Sequence, residues 1–245
     1  MKTQTVINVE KLNKAFGDNH VLRDFSMSLN QGENLAILGK SGSGKSVLIK
    51  CIIRLLALDN GNITVLENNI SDMSPDELDK LRARVGFLFQ SNALYDSMTV
   101  RENLEFPLRR HWKPEQRERG AEEAIIEALT DVGLAHTVDM MPAELSGGMR
   151  KRIALARTLI LKPEIILYDE PTTGLDPITA REISHLIVNV QRKYNASSVI
   201  ISHDMHCISI TSNRVIMLID GTCYASNTFE NLSKSNDIRI KEFFD

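Results

Sequence analysis

The segment Gly39–Ser46 constrains this chain more than any other, because its sequence GKSGSGKS fits the pattern GxxxxGK followed by Ser or Thr. The apolar run Asn34–Leu38 before it predicts a buried strand, and the residues after it predict a helix from about Lys45 to Ile53. Glycines allow positive φ angles, so the loop can turn its backbone N–H groups inward, and the helix adds the positive end of its dipole. The segment therefore predicts a phosphate-binding loop.

Two side chains of this loop are expected to contact a nucleotide. Lys45 reaches the β- and γ-phosphates in such loops, and the Ser46 hydroxyl is a ligand for Mg²⁺. A chance match is the alternative, expected in roughly one chain in a hundred of this length, but it need not fall between a strand and a helix. The residues expected to line the phosphate site are Gly39, Lys40, Ser41, Gly42, Ser43, Gly44, Lys45 and Ser46.

Two adjacent carboxylates follow the apolar run Ile165–Tyr168. A buried strand that ends in Asp169 can present this side chain beside the phosphate loop, where it holds Mg²⁺ through a water. Glu170 projects in another direction and can face the attacking water as a general base. The alternative is a strand followed by an acidic surface turn. The phosphate loop in the same chain favours the functional interpretation over this alternative.

His203 and Gln90 are further candidates at strand ends. His203 follows the run Val199–Ile201, and a strand beside the Asp169 strand would bring it to the γ-phosphate, where it can orient the water of Glu170. Gln90 ends the run Val85–Phe89, and its amide could bind Mg²⁺ or the attacking water and link the nucleotide to the segment that follows. A structural histidine and a surface glutamine are the alternatives.

The distribution of apolar runs predicts an α/β fold, with a largely parallel sheet and one domain over residues 1–245. Alternation in the first thirty residues, at Val6–Val9 and Phe25–Leu29, predicts a small antiparallel sheet. From about residue 91 to 161 no strand is expected and Glu122–Val132 has helical spacing, so a helical subdomain is inserted into a core formed by about 1–90 and 162–245. The other predicted strands are Ile63–Leu66, Val85–Phe89, Ile165–Tyr168, Val199–Ile201 and Val215–Ile219.

Composition excludes several classes of protein. The net charge of −3 gives no general attraction to nucleic acid. Three distant cysteines, at positions 51, 207 and 223, argue against a disulfide framework or a zinc site and favour a reducing compartment. Met1–Asn8 has no apolar core of signal-peptide type, and no apolar run approaches the roughly 18–20 residues that span a bilayer. We therefore expect a cytoplasmic chain that a partner must hold if it acts at a membrane.

The segment Leu145–Met149 reads LSGGM and precedes a basic amphipathic helix, predicted at Arg150–Ile160. Ser146 is a good N-cap, and the two glycines leave the helix N-terminus sterically open. An open helix N-terminus binds anions, so this is a second candidate phosphate site. The alternative is an ordinary capped helix after a glycine turn.

The order of these motifs resembles the nucleotide-binding domain of ABC ATPases over nearly the whole chain. Six motifs occur in sequence: the phosphate loop, Gln90, LSGGM, ILYDEP, Gly174–Asp176 and His203. The resemblance implies a P-loop NTPase fold, hydrolysis of ATP with Mg²⁺, and a head-to-tail homodimer in the ATP-bound state. It also implies that Phe16 stacks on adenine and that Asp176 lies at the dimer interface; a core role is the alternative for Phe16.

The resemblance divides the site between two copies. Each ATP would lie between the phosphate loop, Gln90, Asp169, Glu170 and His203 of one copy and the signature residues of the other. Ser46, Gln90 and Asp169 would hold the metal. Met149 stands where the family commonly has Gln, and Lys40 where Pro is common, but neither change removes a group with a catalytic role. The signature residues expected at the nucleotide are Ser146, Gly147 and Gly148.

Chain organisation narrows the role within the family. The chain carries one such domain, no heptads and no membrane span, which favours the separate ATPase subunit of a membrane transporter at the cytoplasmic face of the inner membrane. Several segments are similar to the Mla-type phospholipid transporter ATPases of bacterial envelopes, which implies an MlaE-like permease and an MCE-domain protein as partners. These segments are Gln90–Asn103, Phe106–Arg109, Met149, Pro177–Thr179 and Ile240–Phe244.

Alternatives remain at this point: a transporter ATPase for another solute, a soluble ABC ATPase that acts on nucleic acid or ribosomes, and a nucleotide sensor without hydrolysis. Within the insert, Leu94–Phe106 is apolar and aromatic in places. It fits either a groove for a coupling helix of the permease or ordinary core packing.

Overall fold

A computed structural model describes residues 4–244, so Met1–Thr3 of the N-terminal segment and Asp245 lie outside the described residues. The predicted strand at Asn34–Leu38, here β3, forms at the centre of a six-stranded sheet, and all five of its residues are buried. Helices cover both faces of such a strand, which explains why its residues from Leu35 to Leu38 are all apolar. The strands described here are β1 Thr5–Phe16, β2 Asn19–Asn30, β3 Asn34–Leu38, β4 Asn60–Val65, β5 Asn68–Asn69, β6 Val85–Leu88, β7 Ile165–Asp169, β8 Ser197–Ile201, β9 Arg214–Ile219 and β10 Thr222–Asn227.

The larger sheet has the order β10-β9-β3-β8-β7-β6, with parallel pairing from β9 to β6 and an antiparallel β10 at one edge. Because β3, β8 and β7 are neighbours, the loops that follow them meet at one edge of the sheet. This arrangement brings the phosphate loop, His203 and the carboxylates together, as their positions at strand ends predict.

The smaller sheet is antiparallel, with the order β2-β1-β4-β5. It contains the predicted N-terminal strands. The strand predicted at Ile63–Leu66 also forms, as β4, but it belongs to this sheet and not to the parallel one. The chain returns after the first helix to pair with β1, where Ile63 lies opposite Val9.

The helices follow caps that the sequence encodes. Thr99 and Glu102 form a reciprocal capping box at the start of the third helix, and Ser74 and Glu77 form another at the second. The helices are α1 Lys45–Ile52, α2 Pro75–Ala83, α3 Val100–His111, α4 Pro114–Asp131, α5 Gly147–Leu159, α6 Pro177–Tyr194, α7 Met205–Thr211, α8 Phe229–Ser233 and α9 Ile238–Lys241.

The helix predicted over Glu122–Val132 forms as part of α4, which begins earlier, at Pro114, because its first two turns are polar and give no apolar stripe to detect. The helix predicted from Arg150 begins at Gly147, since Ser146 caps it and both glycines lie in its first turn. Between residues 91 and 161 the structure contains helices and turns without a strand, as expected.

The helices α3, α4 and α5 pack on the core sheet through one continuous apolar cluster. Leu104, Leu129 and Ile153 from these helices share it with Tyr168 of β7 and Ile200 of β8. The insert therefore has no separate hydrophobic core. Within residues 4–244, no helix is both long enough and apolar enough to cross a bilayer.

Candidate active site

The phosphate loop connects β3 to α1 and depends on two glycines in left-handed conformations. Gly42 has φ +77° and Gly44 has φ +100°, and a Cβ at Gly44 would lie 2.6 Å from the Val21 side chain. Gly44 is also the N-cap of α1 and brings no side chain to its first turn. The N–H groups of that turn are therefore available to an anion.

Lys45 holds a positive charge inside this loop. Only 6% of the residue is exposed, and its Nζ donates to the carbonyl oxygens of Gly39 and Lys40 at 2.7 and 3.0 Å. Burial lowers the pKa of Lys45, and the nearby Glu170 and Asp169 oppose that shift. The arrangement suits a cation that binds phosphate oxygens at the wall of the pocket.

Ser46 and Asp169 lie side by side as the candidate metal ligands. The Ser46 hydroxyl donates to Asp169 Oδ1 at 2.9 Å. Burial raises the pKa of Asp169, while the Ser46 hydrogen bond and the cations Lys50 and Lys45 lower it. One carboxylate and one hydroxyl next to a phosphate loop fit Mg²⁺, which takes few protein ligands and completes its shell with water and phosphate oxygens.

Glu170 sits in a strained and firmly held position. Its φ of 52° is left-handed, which costs a residue with a side chain roughly 1–2 kcal/mol. Its backbone N–H donates to the Ile201 carbonyl at 2.9 Å and so ties the residue to the end of β8. Only 8% of Glu170 is exposed. Strain of this kind, maintained by neighbouring structure, is common at functional sites.

The Glu170 carboxylate has two hydrogen-bond partners. Oε2 lies 2.8 Å from Nδ1 of His203 and accepts from the Thr173 hydroxyl at 3.1 Å. The His203 side chain remains 66% exposed, and it lines the same pocket as Glu170. Sequence reasoning missed Thr173, although its spacing of three residues from Glu170 is a usable signal.

The loop that carries His203 is fixed by a second threonine. Asp204 caps α7 and accepts from the buried Thr172 at 3.0 Å. The backbone N–H of Asp204 in turn donates to the Ser202 hydroxyl. Asp204, the residue after His203, is therefore connected to the segment that follows Glu170.

A pocket of about 530 Å³ collects most of the predicted site residues. Gln90 lines it, although β6 ends at Leu88 and not at Phe89 as predicted, so that Gln90 lies in the following turn. Glu242 and Phe243 line it as well, and Lys40 pairs with Glu242 at 3.1 Å. No sequence motif indicated these C-terminal contacts. The residues that line the pocket are Leu38, Gly39, Lys40, Ser41, Gly42, Gly44, Lys45, Ser46, Val47, Gln90, Glu170, His203, Met205, Glu242 and Phe243.

The signature residues are not brought to this pocket. Ser146 caps α5 by accepting from the Met149 N–H at 3.2 Å, and both Ser146 and Gly147 are exposed. Gly148 faces α6, where a Cβ would lie 2.7 Å from the Thr179 methyl carbon. The N-terminal end of α5 therefore does not line the pocket that holds the phosphate loop of its own chain.

Phe16 and Asp176 also lie outside the pocket lining. Phe16 ends β1 and is 49% exposed, with Lys14 Nζ 5.4 Å from the ring centroid, so it is not a core residue. Asp176 caps α6 by accepting from the N–H groups of Ile178 and Thr179. The Thr179 hydroxyl also donates to it, and these contacts lower the pKa of Asp176.

Comparison with known proteins shows the family. The family model described as ABC transporter matches residues 22–173, more than half of the chain. The chain belongs to the ABC transporter family. The predicted α/β class and P-loop NTPase fold and the expectation of an ATPase are thereby confirmed.

Several curated ABC proteins are similar to the chain. The phospholipid transport ATP-binding protein MlaF of Haemophilus influenzae is 36% identical over 98% of this chain and 90% of that protein. The "Probable ribonucleotide transport ATP-binding protein mkl" of Mycobacterium tuberculosis is 36% identical over 97% of this chain, which spans 66% of that protein. The methionine import ATP-binding protein MetN of Clostridium tetani is 37% identical over 88% of this chain and 67% of that protein.

Solved ABC structures share the fold. CbiO1 of Clostridium perfringens, part of the ABC transporter complex CbiONQ, has a TM-score of 0.86 at 29% identity, over 97% of this chain and 94% of that one. A dimeric ATP-binding cassette in a post-hydrolysis state, bound to ADP and Pi, has a TM-score of 0.82 at 29% identity, over 91% and 98%.

Proposed function

We propose that two copies of this chain close head to tail around two molecules of Mg-ATP and drive a phospholipid transporter. One observation carries the dimer: the phosphate loop, Glu170 and His203 line one pocket, while the Ser146 helix end faces solvent elsewhere on the same copy. A second copy can supply its Ser146 helix end to the open side of the pocket. The dimeric cassette with ADP and Pi supports this assembly.

Binding rests on the fixed loop. Its glycine N–H groups and the start of α1 receive the phosphates, and Lys45 supplies a charge at the β- and γ-phosphates. Ser46 and Asp169, with Gln90 as a further oxygen ligand, are the residues that hold Mg²⁺. When bound, Mg²⁺ neutralises charge on the phosphates. The exposed ring of Phe16 is available to stack on adenine.

Hydrolysis uses Glu170 as the base. The oxygen of a water attacks the γ-phosphorus, the bond to the β,γ-bridging oxygen breaks, and the Glu170 carboxylate accepts the proton from the water. Thr173 and His203 hold this carboxylate in place through Oε2. His203 lines the pocket, and we assign it a second role as a contact of the γ-phosphate. The chemistry is positioning and charge stabilisation.

Closure depends on the γ-phosphate. In the closed dimer it bridges the loop of one copy and the Ser146 helix end of the other, with Gly147 and Gly148 allowing close approach of the backbone. ADP lacks this group, so hydrolysis removes the bridge and the dimer opens. Asp176, beside Gly148 through Thr179, lies where one copy would meet the other.

Phospholipid is the cargo that the similarity to MlaF and the resemblance of the insert support. Methionine import is the second candidate, because the MetN relative has the same level of identity. The proposed partners are an MlaE-like permease at the cytoplasmic face of the membrane and an MCE-domain protein beyond it.

The permease contact is proposed at the aromatic pair Tyr95 and Phe106. Both rings are exposed, and their centroids lie 5.0 Å apart. Arg157 lies over Tyr95, 6.0 Å from the ring centroid. In contrast, Val100 and Leu104 of the same segment are fully buried and belong to the core. The segment thus contains both a surface patch and core residues.

Purification from membranes tests this function. The tagged chain is isolated from detergent-solubilised membranes, its protein and lipid partners are identified by mass spectrometry, and phosphate release is measured after reconstitution in liposomes. We expect a co-purified permease, and hydrolysis that depends on phospholipid and is lost in Lys45→Ala. Stimulation by methionine instead would support the second candidate. Recovery with ribosomes or nucleic acid, without membrane protein, would contradict a transporter.

A further inference from the structure

The helix α5 directs two cations at the turn that begins with Gln90. Lys151 Nζ donates to the Gln90 carbonyl oxygen at 3.0 Å. Arg157 donates through Nη1 to the Ala93 carbonyl at 2.8 Å and through Nη2 to the Asn92 carbonyl at 3.0 Å. Three carbonyls of one four-residue turn are thus held by the helix that also carries Ser146.

The turn needs external contacts of this kind. Asn92 and Ala93 have φ angles of 64° and 53°, so two consecutive residues with side chains adopt the left-handed conformation. Such residues are strained and persist only where neighbouring structure enforces them. Charge-assisted hydrogen bonds from Arg157 to both carbonyls supply this enforcement.

Lys151 is a cation at a buried position, which is unfavourable for stability. Only 2% of the residue is exposed, and within residues 4–244 its Nζ hydrogen-bonds the Gln90 carbonyl as its single partner. Burying a cation is unfavourable because the charge loses its hydration, and an apolar side chain of similar volume is often as stable or more stable. Burial lowers the pKa of Lys151 to about 8, opposed by Asp169 and Glu170. Its hydrogen bond to the carbonyl of Gln90, which lines the pocket, points to a role other than stability.

We propose that Lys151 and Arg157 are positioning residues that fix the Gln90–Ala93 turn to α5, so that Gln90 and Ser146 move as one unit. The inference rests on the proposed roles of Gln90 and Ser146 at the nucleotide. Its consequence is a requirement for alignment: Gln90 reaches the metal and the attacking water only when α5 has the orientation that also presents Ser146 to the opposite copy. A misaligned insert then leaves ATP bound but not hydrolysed.

A double-mutant cycle tests the proposal in the full-length chain. The kcat, the KM and the Kd for ATP are measured for wild type, Lys151→Met, Gln90→Ala and the double variant. A one-ångström displacement of catalytic groups costs on the order of a hundredfold in rate, so we expect Lys151→Met to lower kcat at least tenfold with an unchanged Kd. We also expect it to add little in the Gln90→Ala background, since both changes remove the same contribution.

Further variants of α5 separate positioning from folding. Lys151→Gln retains a donor without charge and should recover part of kcat, and Arg157→Lys retains one of two donors and should lie between wild type and Arg157→Met. Arg152→Met is the matched control, because Arg152 lies on the same helix but contacts Val132 and Glu182. Thermal melts and the ATP Kd establish that each variant is folded.

The outcomes distinguish a failure of the proposed link between Lys151 and Gln90 from a failure of the proposed role of Gln90 itself. If both single changes lower kcat and their effects multiply, Lys151 does not act through Gln90 and the proposal is wrong. A loss of kcat in Arg152→Met equal to that in Lys151→Met would also overturn it, since any cation of α5 would then serve. If Gln90→Ala is silent, the proposed role of Gln90 itself fails, and the inference with it.

Discussion

At the residue scale, Glu170 is both the candidate general base and a residue with a strained backbone conformation. Its left-handed backbone is fixed to β8, and its carboxylate is shared between His203 and Thr173. A base fixed by three contacts needs little reorganisation before it accepts a proton. The phosphate-binding residues lie on a separate loop, so binding and hydrolysis should be separable by mutation.

Glu170→Gln is expected to keep ATP affinity within about threefold of wild type and to lower kcat by about 10²–10⁴-fold, because the amide cannot accept the proton. Phosphate release and equilibrium binding of a fluorescent ATP analogue give the two quantities. Asp204→Asn, which weakens a helix cap near the site without removing the base, is the control for local disturbance. Turnover of Glu170→Gln near the wild-type rate would exclude Glu170 as the base.

The cysteines allow a prediction about pH. Burial raises the pKa of Cys51 and Cys207 from about 9 to about 11. The reactive form is the thiolate, so at pH 8 the folded protein should alkylate at these positions about a hundredfold more slowly than the unfolded chain, and faster as the pH rises toward 11. Mass spectrometry after timed alkylation gives the rates. Cys223→Ser should leave a native protein that scarcely reacts, and rapid loss of Cys51 would contradict the burial.

The sequence predicts the residues whose chemistry is carried by a local motif. The phosphate loop, Asp169, Glu170 and His203 follow from strand ends and glycine spacing. Lys151 and Glu242 could not be found in this way, because each acts through a contact that exists only after folding, whereas the spacing of Thr173 from Glu170 is a local signal. Lys151 meets Gln90 across 61 positions of chain, and no local pattern records that distance.

At the element scale, the N-terminus of α5 packs against that of α6. Gly148 is required there because of Thr179, whereas nothing lies within 4 Å of a Cβ at Gly147. The glycine pair thus divides into one packing position and one open position. The same contact connects the signature helix to the helix that Asp176 caps.

Gly148→Ala should lower the free energy of unfolding by about 1–3 kcal/mol through overpacking. Gly147→Ala should change it little or raise it by up to about 1 kcal/mol through helix propensity. Urea unfolding measures both. Thr179→Ser removes the methyl group and keeps the hydroxyl bonded to Asp176, so it should restore Gly148→Ala. A double variant as unstable as Gly148→Ala would show that this contact is not the cause.

Element boundaries show where sequence reasoning ends. The β3 strand was predicted to the residue, because a buried parallel strand has a continuous apolar run. The start of α4 at Pro114 was missed, since its polar first turns lie on the surface and have no periodic signal. The pairing of β4 with β1 also could not be predicted from the sequence, because neither strand's residues specify which strand lies beside it.

At the scale of the whole molecule, the phosphate loop lines the pocket, whereas no residue of the Leu145–Met149 signature does. In the proposed dimer, a second copy completes each site. Sequence order alone could suggest this division only through the family resemblance.

Ser146→Arg should abolish Mg-ATP-dependent dimerisation and hydrolysis, while one copy still binds ATP, because the phosphate loop is untouched. The loss of the cap should cost about 1 kcal/mol of stability. Light scattering in the Glu170→Gln background measures the dimer, and Ser146→Thr, which retains the capping hydroxyl, is the matched control. A stable Mg-ATP dimer of Ser146→Arg would refute the head-to-tail assembly.

Tyr168 has a consequence for how the molecule can move. Its ring is buried in the apolar cluster that α3, α4 and α5 share with the sheet, directly before the two carboxylates. Close-packed interiors transmit displacement and resist separation. If α3, α4 and α5 tilt, they must therefore move as a shear motion across their packed contact with the sheet, and not as a hinge motion. A force applied to these helices from the membrane side would then act on β7 at Tyr168 before it acts on any loop.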